Sequence, residues 1–275
     1  MAEETKKLMI SVVMGVYNGE LYLADTINSV LEQTFKDFEF VIVNDGSTDN
    51  TQLILDEYKR RDERIRIINN ERNIGLTKSL NRGVWESQGK YIARIDVGDT
   101  CHKERFEKQI AFMEKNDTVG VVGSWGLFID KQGEHIYIFK PPTDKDLIKK
   151  QLLSKSVLLH PSAMIKRDIL MAVGGYNEKY YTGQEQELWI RMSKICDLAN
   201  IPEVLVHCKY FQKESISVRK NNRQIIDSAR LVIREVMNGS YSPIHLLRLL
   251  RVLTLAIPSG IRTRIRFRKL ENDNK

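Results

Sequence analysis

Apolar residues in the first hundred positions alternate between short continuous runs and stretches with helical spacing. Continuous runs of this length are typical of buried strands, and apolar residues three and four positions apart indicate one face of a helix. The strand-like runs are Leu8–Val16, Phe38–Val43, Arg64–Ile68 and Gly89–Ile95, and the helix-like stretches are 20–34, 50–61 and 76–87. This β-α-β-α-β-α-β order predicts an α/β fold, with a mostly parallel central sheet and helices on both faces.

The pattern is less regular after residue 100. Two strand-like runs flank a turn at residues 131–133, and shorter helical stretches and one short strand follow. The predicted strands are Val119–Ile129, Glu134–Lys140 and Ala163–Ile165, and the predicted helices are 143–154, Asp168–Val173 and Gln186–Ile195. The composition turns basic near residues 212–220, which indicates a boundary there.

Four polar residues directly follow predicted strands. Tyr17 and Asp45 come after the first and second strands, and Asp96 and Asp99 come after the fourth. Ligands of open parallel sheets bind at the carboxyl ends of the strands. The sequence therefore predicts a binding cleft built on these positions.

The positive charge is concentrated in the last part of the chain. The whole sequence has a formal net charge of +7, yet residues 216–275 alone hold 13 Lys/Arg and 4 Asp/Glu. Such asymmetry indicates an anionic surface as partner, either nucleic acid or a membrane. Three widely spaced cysteines favour a reducing compartment over a disulfide scaffold. The sequence has no apolar run of transmembrane length, and its polar first residues argue against a signal peptide.

Several motifs, in order over residues 8–195, resemble those of family 2 glycosyltransferases. They are Ser11–Asn18 (SVVMGVYN), Val41–Asp49 (VIVNDGSTD), Asn73–Gly75, Ala93–Asp99 (ARIDVGD), His160–Ser162, Gly174–Glu178 and Glu185–Arg191 (EQELWIR). One such motif alone is weak, but the ordered set is specific. The resemblance implies the Rossmann-like glycosyltransferase-A fold. Within the family it implies a member of the bacterial and archaeal surface-glycan type. It also implies inverting sugar transfer from a nucleotide-sugar, by a catalytic domain over 1–215. Its nucleotide-binding half would be 1–99 and its acceptor-binding half 100–215.

The resemblance assigns the nucleotide-sugar to residues in the first half. Asp45 would accept the N–H of a uracil or thymine ring, with Tyr17 flanking the base; the alternative is that Asp45 only closes its turn. The further nucleotide-sugar residues are Val16, Asn73, Gly75, Arg94 and Asp96. For Asn73 and Gly75 the alternative is an ordinary strand-to-helix turn, and for Arg94 it is a structural ion pair.

The acidic motif departs from the family pattern. The family usually has Asp-x-Asp-Asp, and its third position coordinates a divalent metal; this chain has Gly98 there, between Asp96 and Asp99. A hard cation on oxygen ligands would stabilise the diphosphate leaving group. The expectation is an Mn²⁺ or Mg²⁺ ion on Asp96 and Asp99. The alternatives are stabilisation by Arg or Lys, impaired catalysis, and a helix-capping role for Asp99.

Inverting transfer needs a base that deprotonates the acceptor hydroxyl. The resemblance places Glu185 in this role, and the alternative is a solvated charge at the start of a helix. His160 would bind the diphosphate or a metal, unless it is a satisfied buried histidine. The residues assigned to the acceptor side are His160, Gly175, Trp189 and Arg191, where Trp189 would support the helix by packing and Arg191 by an ion pair.

The last segment, 216–275, is predicted to be a basic amphipathic helical tail. Leucines with an arginine stripe over 245–257, followed by dense positive charge, are typical of a helix in an anionic membrane interface. We therefore expect residues 244–270 to hold the enzyme at the cytoplasmic face of the membrane. The alternative is a helix packed on the catalytic body. Nucleic acid is not expected as a partner, because aromatic residues do not interleave with the basic ones.

Together these features predict a glycosyltransferase that moves one sugar from a nucleotide-sugar to a hydroxyl of a lipid-linked or surface polysaccharide precursor. A UDP-sugar is the first expectation for the donor and dTDP-rhamnose the second. The alternative, suggested by Gly98, is a non-catalytic or impaired nucleotide-sugar-binding member of the same family.

Overall fold

A computed structural model of the chain describes residues 8–210 and 221–248. The strands are β1 (Ile10–Val16), β2 (Phe38–Asn44), β3 (Ile65–Asn69), β4 (Tyr91–Arg94), β5 (Thr100–Cys101), β6 (Val119–Ile129), β7 (His135–Phe139), β8 (Met164–Lys166) and β9 (Asp197–Lys209). The helices are α1 (Leu23–Leu31), α2 (Thr51–Arg61), α3 (Leu76–Trp85), α4 (Arg105–Lys115), α5 (Lys145–Gln151), α6 (Arg167–Ala172), α7 (Gln184–Met192) and α8 (Asn221–Met237). Short 3₁₀ helices span His160–Ser162 and Pro243–Arg248. In the ranges described, none of the helices has the length and apolar character needed to span a bilayer.

The described strands form one mixed sheet in the order β3-β2-β1-β4-β8-β6-β9-β5, with β7 paired to β6. The first four strands are parallel, as the sequence predicted. Beyond β4 the sheet changes character, because β8 runs antiparallel to both β4 and β6. The predicted α/β fold is confirmed, with a parallel first half and a mixed second half.

Two apolar cores lie on opposite faces of the sheet. Alternate residues of β1 divide between them, since Val12 belongs to one core and Val13 to the other. The first core includes residues of α1, α2 and α4, and the second includes residues of α3, α7 and α8. Helices therefore cover both faces, and the strand ends between them are left to form a cleft.

Strand β9 was missed in the sequence. It has 13 residues and pairs with β6 in parallel, but the register jumps from Ser124↔Ile201 to Trp125↔Val204. Pro202 and Glu203 fall in this jump and are exposed. A proline inside a strand-like run cannot donate to the ladder and argues against a central strand, so the bulge that accommodates Pro202 hid the strand.

Helix α8 lies within the segment predicted to be a separate basic tail. In the structure Leu231 and Val232 of α8 are buried in the second core. This part of the segment packs on the body of the fold. Residues 216–220 and 249–275 of the predicted tail lie outside the described residues, and so do most of the predicted membrane-binding range and most of the leucine-rich stretch 245–257.

Candidate active site

The loops after β1 and β2 meet at the carboxyl edge of the parallel strands. The backbone N–H of Asp45 donates to the Val16 carbonyl at 2.8 Å, and Asn18 Oδ1 accepts from the Thr48 N–H at 2.8 Å. The Val16 side chain is in the core, so only its backbone reaches the cleft. Tyr17 follows it with 47% of its surface exposed. This leaves the Tyr17 ring accessible to a planar ligand.

The Asp45 carboxylate is buried and already has three donors. Its Oδ1 accepts from Asn70 Nδ2 and from the Ile74 N–H, each at 2.8 Å, and its Oδ2 accepts from the Gly75 N–H at 2.9 Å. Asp45 therefore fixes the loop that carries the exposed Asn73. Each carboxylate oxygen has two lone pairs, so Oδ2 retains the capacity to accept one further N–H. Sequence reasoning missed Asn70, although it follows β3 at the same edge as the other polar residues.

Two glycines permit this close approach of the loops. Gly46 has φ +68°, and a Cβ there would lie 2.5 Å from the backbone carbon of Arg72. Gly75 has φ +94° and begins helix α3. Both positions favour glycine because an L side chain is strained at positive φ. The Asn-Asp-Gly and Asn-Ile-Gly motifs are thus one interlocked unit.

Arg94 forms the floor of the cleft. Its side chain is fully buried, and it forms an ion pair with Asp96, whose side chain is 37% exposed. Arg94 also donates to the carbonyls of Val13 and Ile95. The guanidinium is therefore held by backbone carbonyls on one side and by one carboxylate on the other, and its charge is paired with that of Asp96.

His160 sits beside this arginine and stays neutral. Arg94 Nε donates to His160 Nε2 at 3.4 Å, and the Tyr176 hydroxyl lies 2.8 Å from the same nitrogen. Burial and the Arg94 charge lower the pKa of His160 to about 3. The Trp189 ring packs edge-on against the imidazole, with ring centroids 6.1 Å apart. His160 is therefore a partly buried, neutral link, and its partner Tyr176 was not singled out in the sequence.

Glu185 is in the first turn of α7. Burial, followed by the negative charge of Asp96, raises the pKa of its carboxyl above the ordinary glutamate value. Glu185 in turn contributes to raising the pKa of Tyr176, after the larger effect of burial. The structure therefore brings Glu185, Asp96 and Tyr176 within electrostatic reach of one another. A desolvated carboxylate of raised pKa is suited to accept a proton near neutral pH.

The two residues expected to hold a metal differ in their surroundings. Asp99 is buried, and its Oδ1 accepts from the Lys209 N–H at 3.1 Å. Burial and the neighbouring Asp96 raise the pKa of Asp99 well above the usual aspartate value. It does not cap α4, whose N-cap is Glu104. Over residues 8–210 and 221–248 no group of three His, Cys, Asp or Glu is arranged to hold a metal ion. Asp96, whose side chain is 37% exposed, is open to a ligand in the cleft, whereas Asp99 is 7% exposed.

The remaining predicted residues build the scaffold around α7. Arg191 forms an ion pair with the fully buried Glu187 at 2.7 Å and donates to the Gly175 carbonyl at 2.7 Å. Gly175 has φ +69° and is packed against Asn81 and Trp85. Arg234 of α8 also pairs with Glu187, at 2.7 Å. The predicted ion pair of Arg191 exists, whereas the contribution of α8 was missed because its partner is far away in the sequence.

Asp227 of α8 holds the loop that leads into α7. Its Oδ2 accepts from the N–H groups of Tyr181 and Thr182, each at 3.1 Å, and from the Thr182 hydroxyl at 3.2 Å. Gly183 follows in the left-handed region as the N-cap of α7. The position of Glu185 therefore depends on a buried carboxylate more than forty residues away.

Solved structures share this architecture. Staphylococcus aureus TarS 1–349, in complex with UDP-GlcNAc, matches with a TM-score of 0.70 and 18% identity over 92% of this chain and 74% of that chain. Mannosyltransferase PcManGT from Pyrobaculum calidifontis, in complex with GDP-Man and Mn²⁺, matches with a TM-score of 0.65 and 14% identity over 93% of this chain and 72% of that chain. At these identities the likeness shows the fold, which is that of glycosyltransferase-A proteins.

The sequence matches known proteins at higher identity. The uncharacterized glycosyltransferase MJ1057 of Methanocaldococcus jannaschii is 41% identical over 194 residues, which are 70% of this chain and 67% of that protein. The O-antigen biosynthesis glycosyltransferase WbnJ of Escherichia coli is 32% identical over 234 residues, which are 83% of this chain and 89% of that protein. The family model described as "Glycosyl transferase family 2" matches residues 11–174. With the fold and the cleft described above, these matches show that the chain belongs to glycosyl transferase family 2 and is a glycosyltransferase.

Proposed function

We propose that the chain transfers one sugar, with inversion at the anomeric carbon, from a nucleotide-sugar to a hydroxyl of a surface-glycan precursor. The observation that carries the proposal is the cleft in which burial and then the charge of Asp96, itself paired with Arg94, raise the pKa of Glu185. Such a cleft combines a base with a charged site for a leaving group. Both are requirements of this reaction.

The donor binds along the carboxyl edge of the parallel strands. Asp45 Oδ2 accepts a ring N–H of the nucleotide base, and Tyr17 lies against the base plane. The buried Arg94 guanidinium, paired with Asp96, adds positive charge near the diphosphate. A UDP-sugar is the first choice because TarS, which shares the fold, is in complex with UDP-GlcNAc. A dTDP-sugar such as dTDP-rhamnose is second, because thymine presents the same ring N–H.

Asp96 would hold a divalent cation together with diphosphate oxygens, as Mg²⁺ and Mn²⁺ are often held by few carboxylates and several phosphate oxygens. The cation supplies charge neutralisation of the departing diphosphate. PcManGT is in complex with Mn²⁺, which supports this choice of ion. Gly98 removes the second acidic ligand of the family motif, so Arg94 carries more of the leaving-group stabilisation in this chain.

Glu185 acts as general base. Its carboxylate takes the proton of the acceptor hydroxyl as that oxygen forms the new bond to the anomeric carbon. The bond from the anomeric carbon to the diphosphate oxygen breaks, and the nucleoside diphosphate leaves with the bonding electron pair. Trp189 and His160 hold the neighbouring surface rigid by packing against each other.

The acceptor is a lipid-linked or surface polysaccharide precursor. WbnJ, at 32% identity over most of both chains, is named for O-antigen biosynthesis, which supports this class. We place the enzyme at the inner face of the membrane, with residues 244–270 on the anionic surface. The high density of Lys and Arg in that range supports this placement.

Glu185→Gln tests the proposal. The substitution keeps the size of the side chain but removes the proton acceptor. Nucleotide binding, measured as a thermal shift with UDP or dTDP, should persist, while transfer to a cell-envelope glycan extract should fall at least a hundredfold, within the usual worth of a general base of about 10²–10⁴. Glu57→Gln is the matched control, because Glu57 is exposed on α2. Transfer by Glu185→Gln at the rate of the control would contradict the assignment of the base.

A second candidate is a binding protein without transfer activity. Gly98, and the lack of a three-residue metal group in the two described ranges, favour it. It predicts a thermal shift with a nucleotide-sugar but no release of nucleoside diphosphate by the unaltered protein under any donor and metal combination.

A further inference from the structure

Large apolar side chains lie exposed along one side of helix α8, which we call its outer face. The outer face consists of Arg223, Ile226, Arg230, Ile233 and Met237, which follow one another at intervals of three and four positions and so share one side of the helix. Ile226 exposes 51% of its surface and Met237 exposes 81%. Single exposed apolar residues are ordinary, but a stripe of them indicates an interaction surface.

The apolar surface continues into the 3₁₀ helix that follows. Pro243–Arg248 lies beside α8, and its Ile244, Leu246 and Leu247 are exposed as well. The exposed apolar side chains therefore come from two consecutive elements, and the second of them begins the range 244–270 that the sequence assigns to the membrane.

The charge on this surface has one sign. The only acidic residues in the sequence 221–248 are Asp227 and Glu235, and each is 1% exposed. Both point inward, where Asp227 accepts from the loop before α7 and Glu235 pairs with a lysine that follows α7. The side chains of Arg223 and Arg230, by contrast, are about half exposed. The surface offered to a partner therefore combines apolar side chains with arginines and has no carboxylate.

We propose that the outer face of α8 docks on an anionic lipid bilayer. This rests on the membrane placement in the proposed function and deepens it, because it assigns lipid contact to the folded body and not only to residues 244–270. A helix that lies in a bilayer interface has an apolar side that enters the acyl boundary and basic residues that meet the headgroups. The leaflet attracts those basic residues through its anionic lipids.

Two other occupants of this surface fit its charge less well. In a second copy of the chain, the arginines of the two helices would approach each other, and neither helix exposes a carboxylate to pair with them. Residues 249–275 hold seven Lys/Arg and two Asp/Glu, so their net charge has the same sign as that of the outer face. Like charges at close range repel, whereas an anionic bilayer complements them.

Docking on this face would fix how the fold lies on the membrane. The inner side of α8 holds, through Asp227, the loop that leads into α7 and to Glu185. An α-helix with its side chains is about 10 Å across. Helix α8 would therefore separate the bilayer from the loop of the proposed base by about its own width.

The test uses the full chain and its sedimentation with vesicles of phosphatidylcholine, with or without phosphatidylglycerol. A double variant, Ile226→Asn with Ile233→Asn, makes the outer face polar. The matched control is Leu21→Asn with Leu53→Asn, because both leucines are exposed apolar residues outside α8. Thermal unfolding and sedimentation velocity report the stability and the oligomeric state of each variant.

We expect the unaltered protein to bind the vesicles that contain phosphatidylglycerol, and to bind phosphatidylcholine alone more weakly. The double variant should bind at least about tenfold more weakly, because two apolar side chains no longer leave water on docking. The control should bind as the unaltered protein does. In a second measurement, brominated phosphatidylglycerol should quench the fluorescence of Ile233→Trp more than that of Leu53→Trp, since only the former residue enters the lipid.

Equal binding by the double variant and the unaltered protein would overturn the proposal. If the combined changes Arg264→Gln, Arg266→Gln and Arg268→Gln then abolished binding, the membrane placement in the proposed function would stand without α8. An unaltered protein that binds no vesicle would refute both, while sugar transfer is tested separately by Glu185→Gln. A dimer that the double variant dissociates would make a second copy the occupant, and a lowered thermal midpoint with full vesicle binding would make residues 249–275 the occupant.

Discussion

Replacing Asp227 by alanine should both destabilise the protein and slow sugar transfer. Oδ2 of this carboxylate accepts from two backbone N–H groups and one hydroxyl of the loop before α7. Its side chain is 1% exposed, and Arg223 and Arg230 lie 3.4 and 3.9 Å from its other oxygen. Both arginines are about half exposed, so water can replace their partner, whereas the buried Thr182 N–H has no such replacement.

The expected loss in the free energy of unfolding is about 3 kcal/mol. Hydrogen bonds to a charged group contribute about 1.5–3 kcal/mol each, and a buried donor left unsatisfied costs about 1–3 kcal/mol. Only the hydrogen bonds to buried groups contribute in full, so the expected loss lies near the lower end of the summed range. Asp227→Asn keeps an accepting oxygen and should lose about 1 kcal/mol.

Urea denaturation followed by circular dichroism measures this effect. With a denaturant slope of about 3 kcal/mol/M, the midpoint should fall by about 1 M. Asp146→Ala is the control, because Asp146 is exposed in the first turn of α5 and surface changes usually stay within about 0.5 kcal/mol. An Asp227→Ala midpoint equal to that of the control would refute the claim that α8 is part of the catalytic body. Unchanged transfer in a destabilised variant would show that the loop does not position Glu185.

Three further outcomes follow from the site. Gly46→Ala should lower stability by more than about 2 kcal/mol in the same urea assay, since it adds strain at φ +68° to a contact with Arg72; a smaller loss would contradict the interlocked loops. Transfer should rise with pH as Glu185 loses its proton, with a midpoint above the ordinary glutamate value, and His160→Gln should leave that midpoint in place because the pKa of His160 is about 3. The thermal shift with a nucleoside diphosphate should shrink in EDTA but not vanish, because Arg94 remains; complete loss would assign diphosphate binding to the cation alone.

The elements of the parallel half were predictable because they depend on local pattern. Each parallel strand is an apolar run, and β1, β2 and β3 pair in the order in which they follow one another in the chain. Turn motifs placed Asp45 correctly at the strand end, but not its hydrogen bonds to Asn70 and to the backbone at Gly75. Those hydrogen bonds depend on the position of a separate loop in the folded protein. No short-range pattern in a single sequence indicates that position.

The region around α7 and α8 was less accessible to sequence reasoning. Glu187 looked like a surface charge at a helix start, yet it is fully buried between Arg191 and Arg234. Likewise, the basic composition of the last segment hid the buried Asp227 and Glu235 of α8. Buried charges are found only together with their partners, and these partners come from distant elements. Pattern reasoning therefore singled out Glu185 as a candidate base but did not find the residues that hold its helix.

The bond between Arg234 and Glu187 has a consequence for the order in which the protein folds during synthesis. Strands β1 to β4 and their helices are complete once about the first hundred residues have left the ribosome, and domains often form as their sequence emerges. Buried Glu187, in the helix that carries Glu185, gains its partner Arg234 47 residues later. The nascent chain thus completes its parallel strands well before the helix of the proposed base is secured by α8.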